Sequence, residues 1–479
     1  MYVQVVGTAD DALNRWVLGP MTALNRDILR GTRPAEAFPR EAAAAVAAAL
    51  PGGPSPGPGP DEARRLVVLL GLVGAGLARH HQERDPAHKR APEAAFAELP
   101  GFLDGFAALA GHTGTGHPPR DTYASLTRWN LPPTEVRWHG ARLAGLPSAF
   151  EDGALRTYTG AIDETRFFEL IKLSETYERA VNETLDPIVT GGVDPAGPEA
   201  VDRLASAAVL LEGMRRLNAD FAALPPAEGL GVGHFLDVFR QFAVHWRPGD
   251  VPPSGALDPE AIERDLRLGV DPLGYRDHIR RLLPGLLDDE RARLAEVQDQ
   301  PAVPDLVLTR CGRPAGLTGL TVPQLRGLVD DHPVLAALFV AQQAHARVAG
   351  VHLLLARRFL FGPQAERDRS GHGDTGVVSN RRGTTGMDES ALRHLTRVRQ
   401  QHRLSALRAL PLPELEARAG VTALLGGEGL SAAETLPCTA GFVRAGRWHD
   451  TEWPVPRPRL GGGDGLVAAD AHVSAEVDS

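Results

Sequence analysis

"PVLAALFVAQQAHARVAGVHLLLARRFLF", residues 333–361, reads as a helix with almost no polar face. His345, Val348, His352, Leu355 and Phe359 recur at three-and-four spacing, and Val351, Leu353 and Leu354 close the remaining circumference for two turns. A helix apolar nearly all round belongs inside a protein, so a helical fold is expected around this one. It also poses a chemical question. His352 lies in "VHLLLARRFLF" with no partner nearby in sequence, and a buried imidazole needs hydrogen bonds.

The surrounding sequence agrees with a mostly α fold. Ala, Leu, Arg and Glu dominate, period-two alternation is hard to find, and Tyr (5), Phe (15) and Trp (6) are sparse. Residues 161–223 form a helical hairpin pattern broken by "TGGVDPAGP", and further helices are expected at 233–246, 259–268, 274–298, 322–330 and 388–408. The Pro/Gly tract 51–60 is neither helix nor central strand and reads as an exposed loop. The expected division is an amino-terminal helical layer (1–114), a main helical domain (115–410) and an irregular Gly-rich extension (411–479).

Composition excludes several classes. With 479 residues, 43% hydrophobic, the chain has material for a sizeable core. Net charge is -9 and the 51 Lys+Arg are spread out, which argues against nucleic acid as a partner. Cys311 and Cys438 stand far apart without ligand spacing, so a disulfide scaffold or zinc site is not expected and a reducing cytoplasm fits. The amino terminus lacks a signal-peptide pattern, and no run approaches about 18 uninterrupted apolar residues, so no membrane association is expected.

His352 therefore has two readings. One is a core histidine satisfied by a neighbouring carbonyl. The other is a ligand, and there haem suits better than zinc, because zinc requires three or four clustered protein ligands whereas haem needs one axial imidazole. No HExxH, CxxC or His-x-His occurs. His345, one heptad earlier, is the second candidate. Two glycine-rich stretches follow, "SGHGDTG" (370–376) and "RGTTGMDESALRHL" (382–395), whose backbone can approach a flat ligand closely or simply form a surface loop. Arg240, among Phe239, Phe242 and Trp246, either meets an anion or packs its stem at the surface.

Four ordered stretches bring these pieces together. "DTYASLTRWN" (121–130) with "LRTYTG" (155–160), "RFFELIKLSETYERAV" (166–181), "GHFLDVFRQFAVHWRPGD" (233–250), and "VHLLLARRFLF" followed by "RGTTGMDESALRHLTRVRQQ" resemble segments of the histidine-ligated haem aromatic oxygenases. That superfamily includes the indoleamine and tryptophan 2,3-dioxygenases and monodechloroaminopyrrolnitrin synthase, the last of these at least as close. The resemblance spans about residues 115–400. It implies an indoleamine 2,3-dioxygenase-like helical bundle enclosing haem b, with 115–410 as the haem-binding domain.

The resemblance also implies roles. His352 is placed as the iron ligand, Tyr123 as a distal-pocket tyrosine, Phe167 and Phe235 against the substrate ring, Arg240 at the substrate carboxylate, and Gly383 with Thr384 in a loop over the substrate. Ile171 stands where the family has a distal serine, Leu236 replaces a second aromatic, Trp246 marks the register, and Thr385 stands where the family loop has glycine. The implied activity is haem-dependent oxygenation of tryptophan or a related indole or aromatic amino acid, in secondary metabolism. Dioxygen is a co-substrate and an external electron donor a possible partner. Oxidative rearrangement of a (chloro)tryptophan and a non-catalytic helical ligand-binding protein are the alternatives. No general base is obvious among the side chains.

Overall fold

The computed structural model describes residues 9–49, 59–85, 90–421 and 430–434, so most of the expected 51–60 loop and the end of the extension lie outside the described residues. The chain is mostly α-helical. The elements that position the site are α1 (Pro60–Arg84), α2 (Ile162–Val189), α3 (Pro198–Ala223), α4 (Pro259–Arg267), α5 (Pro333–Ala356) and α6 (Glu389–Gln400).

α5 is the axis of the fold. Leu335, Ala336, Ala337 and Leu338 are fully buried, and α5 packs most extensively on α3, which packs on α2 in turn. With its continuation to Arg369 it is the one helix among the described residues apolar and long enough to cross a membrane, yet 78% of its most apolar window lies inside the protein. The helix starts follow local chemistry. Asp258 caps α4, its Oδ1 accepting the amides of Glu260 (2.9 Å) and Ala261 (3.2 Å), with Pro259 at the first helical position. Asp388 caps α6 through the Ala391 amide at 2.9 Å.

The expected helices hold over 161–223, 259–268 and 322–330, and differ elsewhere for identifiable reasons. Residues 274–298 split into Tyr275–Leu282 and Asp288–Asp299, because Pro284 cannot continue a ladder. The 233–246 segment is helical only over Val232–Asp237, turns at Val238 (φ -120°, ψ -73°) and continues as a short 3-10 turn, Phe239–Phe242. The helix expected over 388–408 ends at Gln400. Beyond Ala356 the backbone widens to a π turn, Arg357–Phe361, where Pro363 lacks the amide that would bond back to Phe359.

A small sheet is the element the sequence reading missed. β1 (Thr134–Trp138) and β2 (Ala141–Leu146) form a hairpin across His139 (φ 47°) and Gly140 (φ 80°), a two-residue turn with both φ positive. β3 (Leu430–Glu434) pairs antiparallel with the other edge of β1. The extension after 410 thus carries regular structure among its described residues, with a short helix at Leu412–Arg418 as well.

The amino-terminal helices are not a separate body. Trp246 is fully buried among Phe96, Phe102 and Phe106 and against α1, so the described amino-terminal helices share one core with the segment that carries Arg240. α1 makes room with glycine. A Cβ at Gly74 would lie 2.3 Å from the Trp246 ring, and one at Gly76 would lie 2.3 Å from Phe38. Gly74→Ala should therefore destabilise the protein by about 1–3 kcal/mol through overpacking, outweighing the roughly 1 kcal/mol helix-propensity gain of alanine. Urea denaturation checks this, and a midpoint at or above wild type would refute it.

Candidate functional site

A cavity of about 430 Å³ lies between α2 and α5, with Met214 and Asn218 of α3 lining it. Tyr123, Phe167, Ile171, Phe235, Arg240, His352, Gly383 and Thr384, spread over more than 260 positions, all border it. Its volume is that of a small-molecule site.

α2 and α5 run in opposite senses along this cavity. At one end the Phe235 ring meets both Phe167 of α2 (5.3 Å between centroids) and Phe359, just beyond α5 (6.4 Å). At the other end Glu178 of α2 pairs with Arg264, while the neighbouring Asp265 holds His345 of α5. His352, midway between His345 and Phe359, is therefore level with Ile171 and Ser174.

His352 is exposed to the cavity, not packed in a dry interior as the sequence suggests, and it has no hydrogen-bond partner among the described residues. The carbonyl-satisfied core histidine is not what this structure contains at 352. Its neighbours one turn away, Ala349 and Ala356, also line the cavity and leave the face around the imidazole open. The surrounding protein, then Arg399 and Arg264 nearby, pulls the imidazole down to about 4, so it is neutral at pH 7 and offers a lone pair. Among the described residues no group of three or more His, Cys, Asp or Glu forms a metal cage. A metal here would draw its remaining ligands from a macrocycle, and a single imidazole on an open, largely apolar face fits haem.

His345 is the structural histidine of the pair. It is 2% exposed, lies outside the main cavity, and its Nε2 is 2.8 Å from Oδ1 of Asp265. Asp265 also accepts from Arg399 (Nε 3.0 Å, Nη2 2.5 Å) and the Tyr275 hydroxyl (2.7 Å). That expectation is corrected: His345 is already committed.

The aromatic end contains Phe167, Phe235 and Phe239, in mutual contact at 5.3–6.1 Å. Phe239 supplies the second ring here, whereas Leu236 is fully buried elsewhere, against Leu360 and Leu392. Arg240 is only 5% exposed. Its Nη2 donates to the carbonyls of Ser379 (3.0 Å) and Arg382 (2.9 Å), which anchors the loop carrying Gly383 and Thr384, and its Nη1 has no partner. Burial lowers it to about 10, with Asp374 only partly opposing. A surface arginine with a packed stem is excluded; this is a buried cation lacking an anion. In the loop, Gly383 N–H donates to Met387 O (2.7 Å) and Gly386 N–H to Gly383 O (2.8 Å). The positive φ falls on Gly386 (84°), so Thr385 costs no needed freedom.

The opposite end is polar, and sequence reasoning missed it. Glu178, Asp258, Arg264, Asp265 and Arg399 all border the cavity. Tyr123 is held there, its hydroxyl donating to Oδ2 of Asp258 at 3.2 Å. The signal was present, since Phe167, Ile171, Ser174 and Glu178 continue one three-and-four stripe of α2.

No family model matches this chain, and no curated protein matches it.

His345 and Asp265 make stability depend on pH. The His345 pKa lies near 6.5 unfolded but about 4 folded, because burial outweighs the Asp265 hydrogen bond, so its contribution is complete above about 6.5 and is lost as pH falls towards 4. Glu175, raised to about 8 by burial, acts in the opposite direction, so the wild-type curve alone is no test. His345→Gln keeps a donor for Asp265 but removes the titration. Its urea midpoint should therefore fall less than that of wild type between pH 7 and pH 4.5, and parallel curves would refute the assignment.

Proposed function

We propose that the protein is a haem-dependent oxygenase acting on tryptophan or a related aromatic amino acid, with haem b held by His352. The observation that carries this reading is the neutral, unpartnered imidazole opening onto a largely apolar cavity, against a histidine one heptad away that is fully committed to a carboxylate. The resemblance in sequence order supports it.

In this reading the cofactor, when bound, supplies the activation of dioxygen, and the protein supplies orientation and electrostatics. Phe167, Phe235 and Phe239 hold the aromatic ring by edge and face contacts. Arg240 receives the substrate carboxylate on its free Nη1, which would relieve a buried uncompensated charge. Because Nη2 of the same guanidinium holds the 379–382 backbone, carboxylate binding and loop position are linked through one side chain. In this reading Ile171 gives the wall beside Ser174 an aliphatic surface.

Purified full-length protein supplied with haem should show a Soret band, and His352→Ala should lower haem retention at least tenfold while His345→Gln retains it. A colourless protein, or a band unchanged by His352→Ala, would overturn the reading. Product masses after incubation with tryptophan and 7-chlorotryptophan separate oxygen insertion from rearrangement.

Arg240→Leu should raise KM for tryptophan by about tenfold or more, the cost of at least about 1.4 kcal/mol of lost carboxylate pairing. Affinity for tryptamine, which lacks the carboxylate, should change little. Equal losses for both ligands would show that Arg240 acts only by holding the loop.

A further inference from the structure

The cavity is longer than the amino acid placed in it. Phe167 and Glu178 are eleven residues apart on α2, about 16 Å along a helix axis, with the unpartnered Arg240 cation at the first end and a carboxyl pair at the second. A tryptophan with its carboxylate on Arg240 turns the hydrocarbon edge of its indole towards that pair. Bare C–H groups there would cover carboxyl oxygens without satisfying them.

The pair is built to receive donors. The Glu178 and Asp258 carboxyl groups are within hydrogen-bonding reach of each other. Burial, then the Asp258 carboxyl beside it, pushes Glu178 well above the ordinary carboxylate range. Around it stand Arg264, which pairs with Glu178; Tyr123, which donates to Asp258; Arg128, which pairs with Glu175 and Glu290; and Glu260, which pairs with Arg293. Asp258 collects three donors, from Tyr123 and the Glu260 and Ala261 amides. Glu178, 3% exposed and lining the cavity, has only Arg264 on Oε1, and its Oε2 receives no donor. Carboxyl oxygens accept more than this. A buried acceptor without a donor at one end, and a buried donor without an acceptor, Arg240 Nη1, at the other, bracket a cavity whose middle is aromatic and aliphatic.

Resting on the reading that Arg240 takes a substrate carboxylate, we propose that the substrate is an aromatic amino acid carrying a hydrogen-bond donor, hydroxyl or amino, on the ring edge remote from its carboxylate, received by Glu178 and Asp258. These two residues then set specificity. A site lined to bond a donor discriminates strongly against the analogue lacking it, because its buried acceptors are otherwise left unpaired.

Binding of L-tryptophan, 5-hydroxytryptophan and 5-aminotryptophan to the full-length protein, measured by calorimetry, tests this. The substituted compounds should bind at least tenfold tighter than tryptophan. Glu178→Gln should remove most of that preference; Asp258→Ser, which keeps a helix cap, gives the same readout if the first variant folds poorly. Equal affinities for the three compounds, binding of none, or a preference that survives both variants would overturn the inference. Protein that takes up haem yet shows no preference sinks the inference alone. Protein that takes no haem but prefers the substituted compounds sinks the oxygenase reading alone.

Discussion

The Asp265 carboxylate is the constraint on which the rest of the site depends. Four groups converge on its two oxygens: the His345 imidazole, both arms of Arg399 and the Tyr275 hydroxyl. They come from α5, α6 and the Tyr275–Leu282 helix, while Asp265 itself stands on α4. Four elements are thus tied at one buried point, and the arginine draws Asp265 well below the usual carboxylate range despite its burial. A charged hydrogen-bonded knot of this kind has directional geometry that apolar contact lacks. It fixes the rotation of α5, and the rotation of α5 decides where His352 points. One heptad separates the two histidines, so holding His345 on Asp265 turns His352 to the same side of the helix, past the end of the knot and into open space.

The cavity's chemistry follows from how the surrounding charges are paired. Arg264 and Arg399 are matched to carboxylates, and burial raises both Glu178 in the cavity wall and the neighbouring Glu175 above the ordinary carboxylate range. Arg240 has no such partner, and its pKa is lowered by burial. A buried guanidinium that gives one nitrogen to loop carbonyls and leaves another unbonded is costly unless an anion completes it. The polarity of the site therefore has a direction: the unpaired cation at the Arg240 end would favour an anionic group there.

Much of this was legible in the sequence, and what was not has physical causes. The all-round apolar pattern of 333–361 gives α5, and the order of the motifs gathers residues from Tyr123 to Thr384 around one cavity, because each lies on a helix face or a glycine-permitted loop. Periodicity did not separate His345 from His352, since both occupy the same face and only a partner eighty residues away in sequence distinguishes them. The break at Val238 was invisible for a similar reason. No proline or glycine marks it, and the turn follows from Leu236 and Phe242 being buried in different clusters. The β1–β2 hairpin was hidden by its turn, His139-Gly140, which adopts the backbone of an Asn-Gly turn without its usual letter.

The α2 stripe shows how the two ends are joined. Phe167, Ile171, Ser174 and Glu178 pass from aromatic to aliphatic to hydroxyl to carboxyl along one helix face, while the opposing face of α5 offers Phe359, Leu355 and His352 before ending at the committed His345. His352 lies level with Ile171 and Ser174, where the aliphatic part of the stripe gives way to its hydroxyl. Of the α2 side chains that line the cavity, Glu178 is the one that titrates as a carboxyl, so α2 brings its proton-exchanging chemistry to the polar end, about one turn past the imidazole, where the Tyr123 hydroxyl and Asp258 also stand.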